Sequence, residues 1–128
     1  MAEAVFRHQA HVLGLDVVCD SAGTHGYHVG ERPDPRTLRV CEHYGISTDG
    51  LRARQVTATD FSDFELILGM DSGHVRLLQE MCPSMYHSQI RPFAENDVPD
   101  PYYGDMQSFE TVYKMVDFGV KALLNSSA

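Results

Sequence analysis

The sequence has no tryptophan, three cysteines and ten lysines and arginines in 128 residues, and each scarcity excludes something. Eighteen Asp and Glu against ten Lys and Arg leave a formal net charge of −8. No basic stripe is left to neutralise phosphates along a nucleic acid or to hold an anionic membrane surface. Cys19, Cys41 and Cys82 are odd in number, scattered and without a C-x-x-C pair, which argues against a disulfide framework or a thiolate zinc site and for reduced thiols. The longest apolar runs, such as Leu66-Ile67-Leu68, fall far short of the roughly 20 residues that span a bilayer, and Met1 opens no secretory signal pattern. Repeats and low-complexity tracts are also lacking. The expectation is one domain over residues 1–128, in the cytoplasm, with a core that a chain of this size buries without a metal or disulfide staple.

What is present is an alternation of helix-like and strand-like segments. Residues 1–14 place Ala4, Val5, Val12 and Leu13 at helical spacing up to Gly14, but no Ser, Thr, Asp or Asn precedes them to cap the first turn. Leu15–Cys19 reads as a short buried strand feeding the turn formers Asp20-Ser21-Ala22-Gly23-Thr24. Asp34-Pro35 is an N-cap with proline at the first helical position, followed by Leu38, Cys41 and Tyr44 and closed by Gly45. Thr57-Ala58-Thr59-Asp60 resembles a capping box before Phe61 and Phe64. Glu65–Met70, apolar on both faces, suits the middle of a parallel sheet. Asp71 or Ser72 then caps a helix with Val75, Leu77, Leu78 and Met81, stopped by Pro83, and residues 86–93 hold a weak edge strand. Asp105 or Ser108 starts a last helix with Phe109, Val112, Tyr113, Val116, Val120 and Leu124 at 3–4 spacing. This order predicts an α/β, three-layer fold, a parallel sheet flanked by helices, with its site at the carboxyl ends of the strands.

The motifs in chain order are Asp20-Ser21-Ala22-Gly23-Thr24, His28-Val29-Gly30, Pro33-Asp34-Pro35-Arg36-Thr37, Ala53-Arg54-Gln55, Leu66-Ile67-Leu68-Gly69-Met70-Asp71, Val98-Pro99-Asp100-Pro101-Tyr102-Tyr103-Gly104 and Phe109-Glu110-Thr111-Val112-Tyr113. Each is weak alone. Together they cover nearly the whole chain, which resembles the low-molecular-weight protein tyrosine phosphatases. The resemblance implies hydrolysis of phosphotyrosine through a cysteinyl-phosphate, on a phosphotyrosine protein or small aryl phosphate, with no cofactor and no metal. It implies that Asp100 is the acid that protonates the departing phenolate, and that Tyr102, Tyr103 and Tyr27 wall a slot for a flat ring. It also makes Ser21 a hydrogen-bonding support of the phosphate loop and Asp71 an acidic neighbour of the loop arginine. Asp71 is equally an N-cap of its helix.

One departure matters for chemistry. Family members open with a strand and a C-x5-R-S-P loop, and the residues after that loop look like Met1-Ala2-Glu3-Ala4; the first strand and the loop are expected to be missing from these 128 residues. Six positions after Cys19, Cys41 and Cys82 stand His25, Ser47 and Ser88, so no internal C-x5-R replaces it. A thiolate nucleophile needs its pKa depressed by a helix N-terminus and a nest of N–H groups, and the three cysteines read instead as packing groups. Tyr44 and Leu51 stand where the family often carries supporting histidines. His8 and His11 share a helix without a third ligand and read as surface residues. The reading is therefore a phosphatase-family chain that is inactive as these 128 residues, the alternative being a catalytically silent binding or regulatory module. An arsenate reductase of the same fold is disfavoured by Asp100-Pro101-Tyr102-Tyr103. Strand edges left without partners predict either pairing between two copies of the chain or a stability markedly below that of a full-length relative.

Overall fold

In the computed structural model, residues 1–23, 30–82, 89–94, 96–99 and 104–127 are described, with the backbone alone at 126 and 127. The elements are α1 (Ala2–Val12), α2 (Pro35–His43), α3 (Asp60–Asp63), β1 (Ile67–Gly69), α4 (Ser72–Met81), β2 (Ile90–Pro92) and α5 (Met106–Ser127). β1 and β2 pair in parallel, Ile67 opposite Ile90 and Gly69 opposite Pro92, with α4 as their crossover. This is the α/β arrangement with a parallel sheet flanked by helices.

Local chemistry explains where the helices start. Asp34, Asp71 and Asp105 each turn a carboxylate back onto a free N–H of the next turn: Arg36 at 2.8 Å, His74 at 2.7 Å and Ser108 at 2.9 Å. α1 has no side-chain cap, as its sequence predicts. Gly14 and Gly45 follow α1 and α2 at φ +70°, a left-handed turn that glycine alone adopts without strain. At α3 the box is half made. The Asp60 carboxylate accepts the Thr57 N–H at 2.8 Å, while the residue preceding the helix, Thr59, contributes no side-chain cap.

Two cores result. The larger lies where α1 and α2 pack on α5, and it buries Val5, Val40, Cys41, Phe109, Val112, Val116, Val120 and Leu124. All six apolar positions predicted for the last helix are buried, and each contributes about 1.5–3 kcal/mol by leaving water. Tyr44 stacks on Tyr113 with ring centroids 4.0 Å apart, fastening the end of α2 to α5. The smaller core gathers Phe61, Leu78, Cys82 and Ile90 beneath the sheet segment, with Val56, Ile67 and Val75 against it.

Three expectations require correction. Leu15–Cys19 is neither a strand nor buried: Val17 is 50% and Val18 84% exposed. A short β-branched run becomes a buried strand only when a neighbour takes up its N–H and C=O groups, and among the described residues the β-bridge beside it is the single parallel pair Gly23 with Gln55. Glu65–Met70 shortens to Ile67–Gly69 with one strand neighbour among the described residues, and Leu66 stays partly exposed. Leu77 and Met81, expected on the buried face of α4, are also partly exposed, leaving Leu78 as that helix's buried residue.

Candidate functional site

Three loops of the chain carry predicted site residues. The first is Asp20–Gly23, held to the chain at 54–56 by main-chain bonds, Gly23 N–H to Arg54 O at 2.8 Å and Val56 N–H to Gly23 O at 2.9 Å. Side chains reinforce them. Asp20 accepts the Ser21 N–H on one oxygen at 2.8 Å and the Arg54 Nε–H on the other at 3.0 Å. Arg54 turns its remaining fork onto Asp60. The hydroxyl of Ser21 donates to Glu3 Oε1 at 2.6 Å, and Glu3 lies in the first turn of α1. Ser21 and Glu3 border a cleft of about 130 Å³ with Met1, Pro33, Leu51 and Arg52. The expected phosphate-loop support thus has a carboxylate as its partner here.

The second loop leaves β1. Asp71 caps α4 through the His74 N–H, so the capping half of its dual reading describes its geometry, and Asp97 accepts the Ser72 N–H at 3.0 Å and hydroxyl at 3.2 Å. The third loop joins Val98 to α5. Asp100, Tyr102 and Tyr103 lie outside the described residues, as does Tyr27 in the segment before Gly30. Their flanks are described: buried Val98 donates its N–H to Met70 O at 2.8 Å, and Gly104 O accepts from Arg36 Nη1 at 2.7 Å. In the sequence Arg36 is a member of the Pro33-Asp34-Pro35-Arg36-Thr37 motif with no role of its own. Its sequence signal is the spacing Asp-Pro-Arg, which sets an arginine two residues after a capping aspartate.

The thiols are not activated. Burial pushes the Cys19 thiol up to about 11, with the nearby negative charges of Glu3 and Asp20 adding to the effect. Burial likewise raises Cys41 and Cys82 above the ordinary thiol value. A nucleophilic cysteine needs the opposite, a cationic or helix-dipole setting that favours thiolate. Among the described residues no group of His, Cys, Asp and Glu could hold a metal ion, and no helix is long and apolar enough to cross a membrane. A wider surface depression of about 560 Å³, bordered by Arg32, Leu38, Glu42 and Ile46 to Asp49, contains none of the expected site residues.

A parallel strand pair crossed over by an aspartate-capped helix places the chain in the broad α/β class. Comparison with known proteins narrows the class to one family. The profile of the low molecular weight phosphotyrosine protein phosphatases matches residues 1–127. The low molecular weight phosphotyrosine protein phosphatase of Schizosaccharomyces pombe is 40% identical, over 92% of this chain and 82% of its own length. The low molecular weight protein-tyrosine-phosphatase YfkJ of Bacillus subtilis is 38% identical, and its crystal structure superposes with a TM-score of 0.88 over 98% of this chain and 83% of that one. A protein tyrosine phosphatase from Entamoeba histolytica, crystallised with Hepes in its active site, gives 0.91 at 32% identity over 96% of this chain and 84% of that one. The chain belongs to the low molecular weight phosphotyrosine protein phosphatase family.

Proposed function

We propose that these 128 residues carry the substrate-facing part of a low molecular weight tyrosine phosphatase, with Asp100 as the leaving-group acid and Tyr27, Tyr102 and Tyr103 as the walls of the ring slot. The observation that carries this is the family match over residues 1–127, together with Asp100-Pro101-Tyr102-Tyr103-Gly104 inside it. The substrate class is a phosphotyrosine protein or a small aryl phosphate. Ser21 would brace a phosphate-binding loop, and Asp71 would sit close to that loop's arginine as well as capping α4.

By themselves the 128 residues do not turn such substrates over. No C-x5-R occurs in them, and all three thiols are held protonated by burial. Those protonated thiols also favour a second reading, a catalytically silent binding or regulatory module. The exposed β-branched run at Val17 and Val18 supports association of two copies through strand edges, and three scattered cysteines with no C-x-x-C pair suit a reducing cytoplasm.

The test is p-nitrophenyl phosphate and a phosphotyrosine peptide offered to the purified chain. Turnover at the buffer rate is expected. Turnover above it that disappears on Asp100→Asn overturns the inactivity and requires a nucleophile among Cys19, Cys41 and Cys82. Sequencing the coding DNA ahead of Met1 separates the two readings: an in-frame strand and C-x5-R-S-P segment means an enzyme, and its absence a silent module.

A further inference from the structure

We propose that Arg54 is the positioning residue for Ser21, a proposal that rests on the reading of Ser21 as the brace of a phosphate-binding loop. A guanidinium is a planar fork with five N–H donors, and it can bind several fixed acceptors at once. At Arg54 the fork is divided. Nη1 and Nη2 grip the two Asp60 oxygens at 2.9 and 3.1 Å, Nη1 also reaches Gln55 O at 3.4 Å, and Nε donates to Asp20 Oδ2 at 3.0 Å.

The Asp60 end is fixed. Its carboxylate is buried and accepts the Thr57 N–H at 2.8 Å. A guanidinium held by both oxygens of a buried carboxylate has little freedom left in its plane. Its Nε–H therefore sets the place of a carboxylate 34 positions away in sequence. Asp20 passes that placement on, because its other oxygen accepts the Ser21 N–H at 2.8 Å. Gly23 is bound to the same stretch through Arg54 O and the Val56 N–H, at 2.8 and 2.9 Å. Ser21 and Ala22 thus run between two set points, both supplied by residues 54–56.

The direction of the Ser21 hydroxyl follows. It donates to Glu3 Oε1 at 2.6 Å, a length typical of a bond to a charged carboxylate, and the other Glu3 oxygen faces Arg7 Nη1 at 3.7 Å. A hydroxyl has one proton and two lone pairs, and here the proton is spent on the first turn of α1. What remains is an acceptor at the edge of the cleft that Ser21 shares with Met1 and Leu51. As a brace Ser21 would therefore accept N–H groups rather than donate to carbonyls. Arg54 acts on it through Asp20, with no hydrogen bond of its own to Ser21 or Glu3. Lysine cannot replace it, because a single ammonium does not span Asp60 and Asp20 in one plane.

The test uses the whole 128-residue chain, isotope-labelled, with spectra and melting curves of wild type, Arg54→Lys, Asp20→Asn and the two together. Asp20→Asn keeps an oxygen for the Ser21 N–H and gives up the charged bond to Arg54. Each single change is expected to move the Glu3 carboxyl carbon signal by several line widths and to leave the amides of Val112 to Val120 in place. The pair should move it no further than the larger single change, because both cut one link. An Arg54 that only stabilises buried Asp60 would lower the melting temperature without reaching Glu3. A Glu3 signal that stays put in either variant, a further shift in the pair, or shifts spread as widely through α5 overturn the proposal. Should Arg54→Lys fail to fold, Asp20→Asn decides alone, since Asp20 is exposed. None of these outcomes depends on whether Ser21 braces a phosphate loop, so failure here and failure of the phosphatase reading are told apart.

Discussion

Arg54 and Asp60 face each other across two parallel hydrogen bonds, Nη1 to Oδ2 at 2.9 Å and Nη2 to Oδ1 at 3.1 Å. Asp60 is buried and Arg54 partly exposed, and the guanidinium holds the Asp60 carboxyl below its ordinary range. Arg54→Met leaves a buried carboxylate with the Thr57 N–H as its main donor, which costs about 2 kcal/mol at pH 7. The sign with pH follows from the shift. A depressed native pKa contributes stability above the ordinary carboxylate value, about 3.9, and loses it as pH falls through the native value. Without Arg54 the Asp60 pKa rises, so the deficit of the variant should narrow on acidification. Urea unfolding at pH 7 and pH 4 measures it, and an equal deficit at both would refute the coupling.

Glycine at position 69 has a steric reason that position 119 shares only in part. A Cβ on Gly69 would lie 2.6 Å from Val75 Cγ2 and 2.8 Å from the Val75 backbone nitrogen, in the first turn of α4. Backbone at a capped helix start cannot step aside, so Gly69→Ala should cost about 3 kcal/mol. A Cβ on Gly119 meets the Phe93 ring at 2.5 Å, and a partly buried ring can turn. Gly119→Ala also gains about 0.5–1 kcal/mol of helix propensity, so its net cost should stay near 1 kcal/mol. Parallel denaturant titrations of the two variants decide this, and equal costs would show that Phe93 is as immobile as the α4 backbone.

What the sequence revealed follows from how local each feature is. The capping aspartates at 34, 71 and 105 and the 3–4 spacing from Phe109 to Leu124 specify α2, α4 and α5 because caps and amphipathic faces are written within a few residues. Leu15–Cys19 misled because the burial of a strand depends on its neighbours, which no five-residue run encodes. The links from Arg36 to Gly104 and from Arg54 to Asp20 join residues 68 and 34 apart. Periodicity is silent at that range, and the motif order alone does not say which residues meet.

The exposed run Leu15, Val17 and Val18 leads to a prediction about association. Exposed β-branched residues such as Val17 and Val18 are candidates for pairing with another chain. Sedimentation should show mass rising with protein concentration, and Val17→Lys together with Val18→Lys should return the chain to a monomer without loss of melting temperature, since neither side chain packs in a core. A monomer at every concentration in the wild type would remove strand-edge pairing from the account.

Asp100 is tested by giving the chain what its chemistry requires. With a strand and a C-x5-R-S-P loop supplied ahead of Met1, aryl phosphates should be hydrolysed through a cysteinyl-phosphate, and the acid should matter in proportion to how badly the leaving group needs a proton. General acid catalysis contributes about 10²–10⁴-fold in rate. Asp100→Ala should therefore lower kcat by about a hundredfold or more for phenyl phosphate, whose phenolate is a poor leaving group, and by under about tenfold for p-nitrophenyl phosphate. The slope of log kcat against leaving-group pKa should steepen accordingly. Equal losses across the series would mean that Asp100 stabilises the loop rather than donating a proton, and the acid would have to be sought elsewhere in the chain.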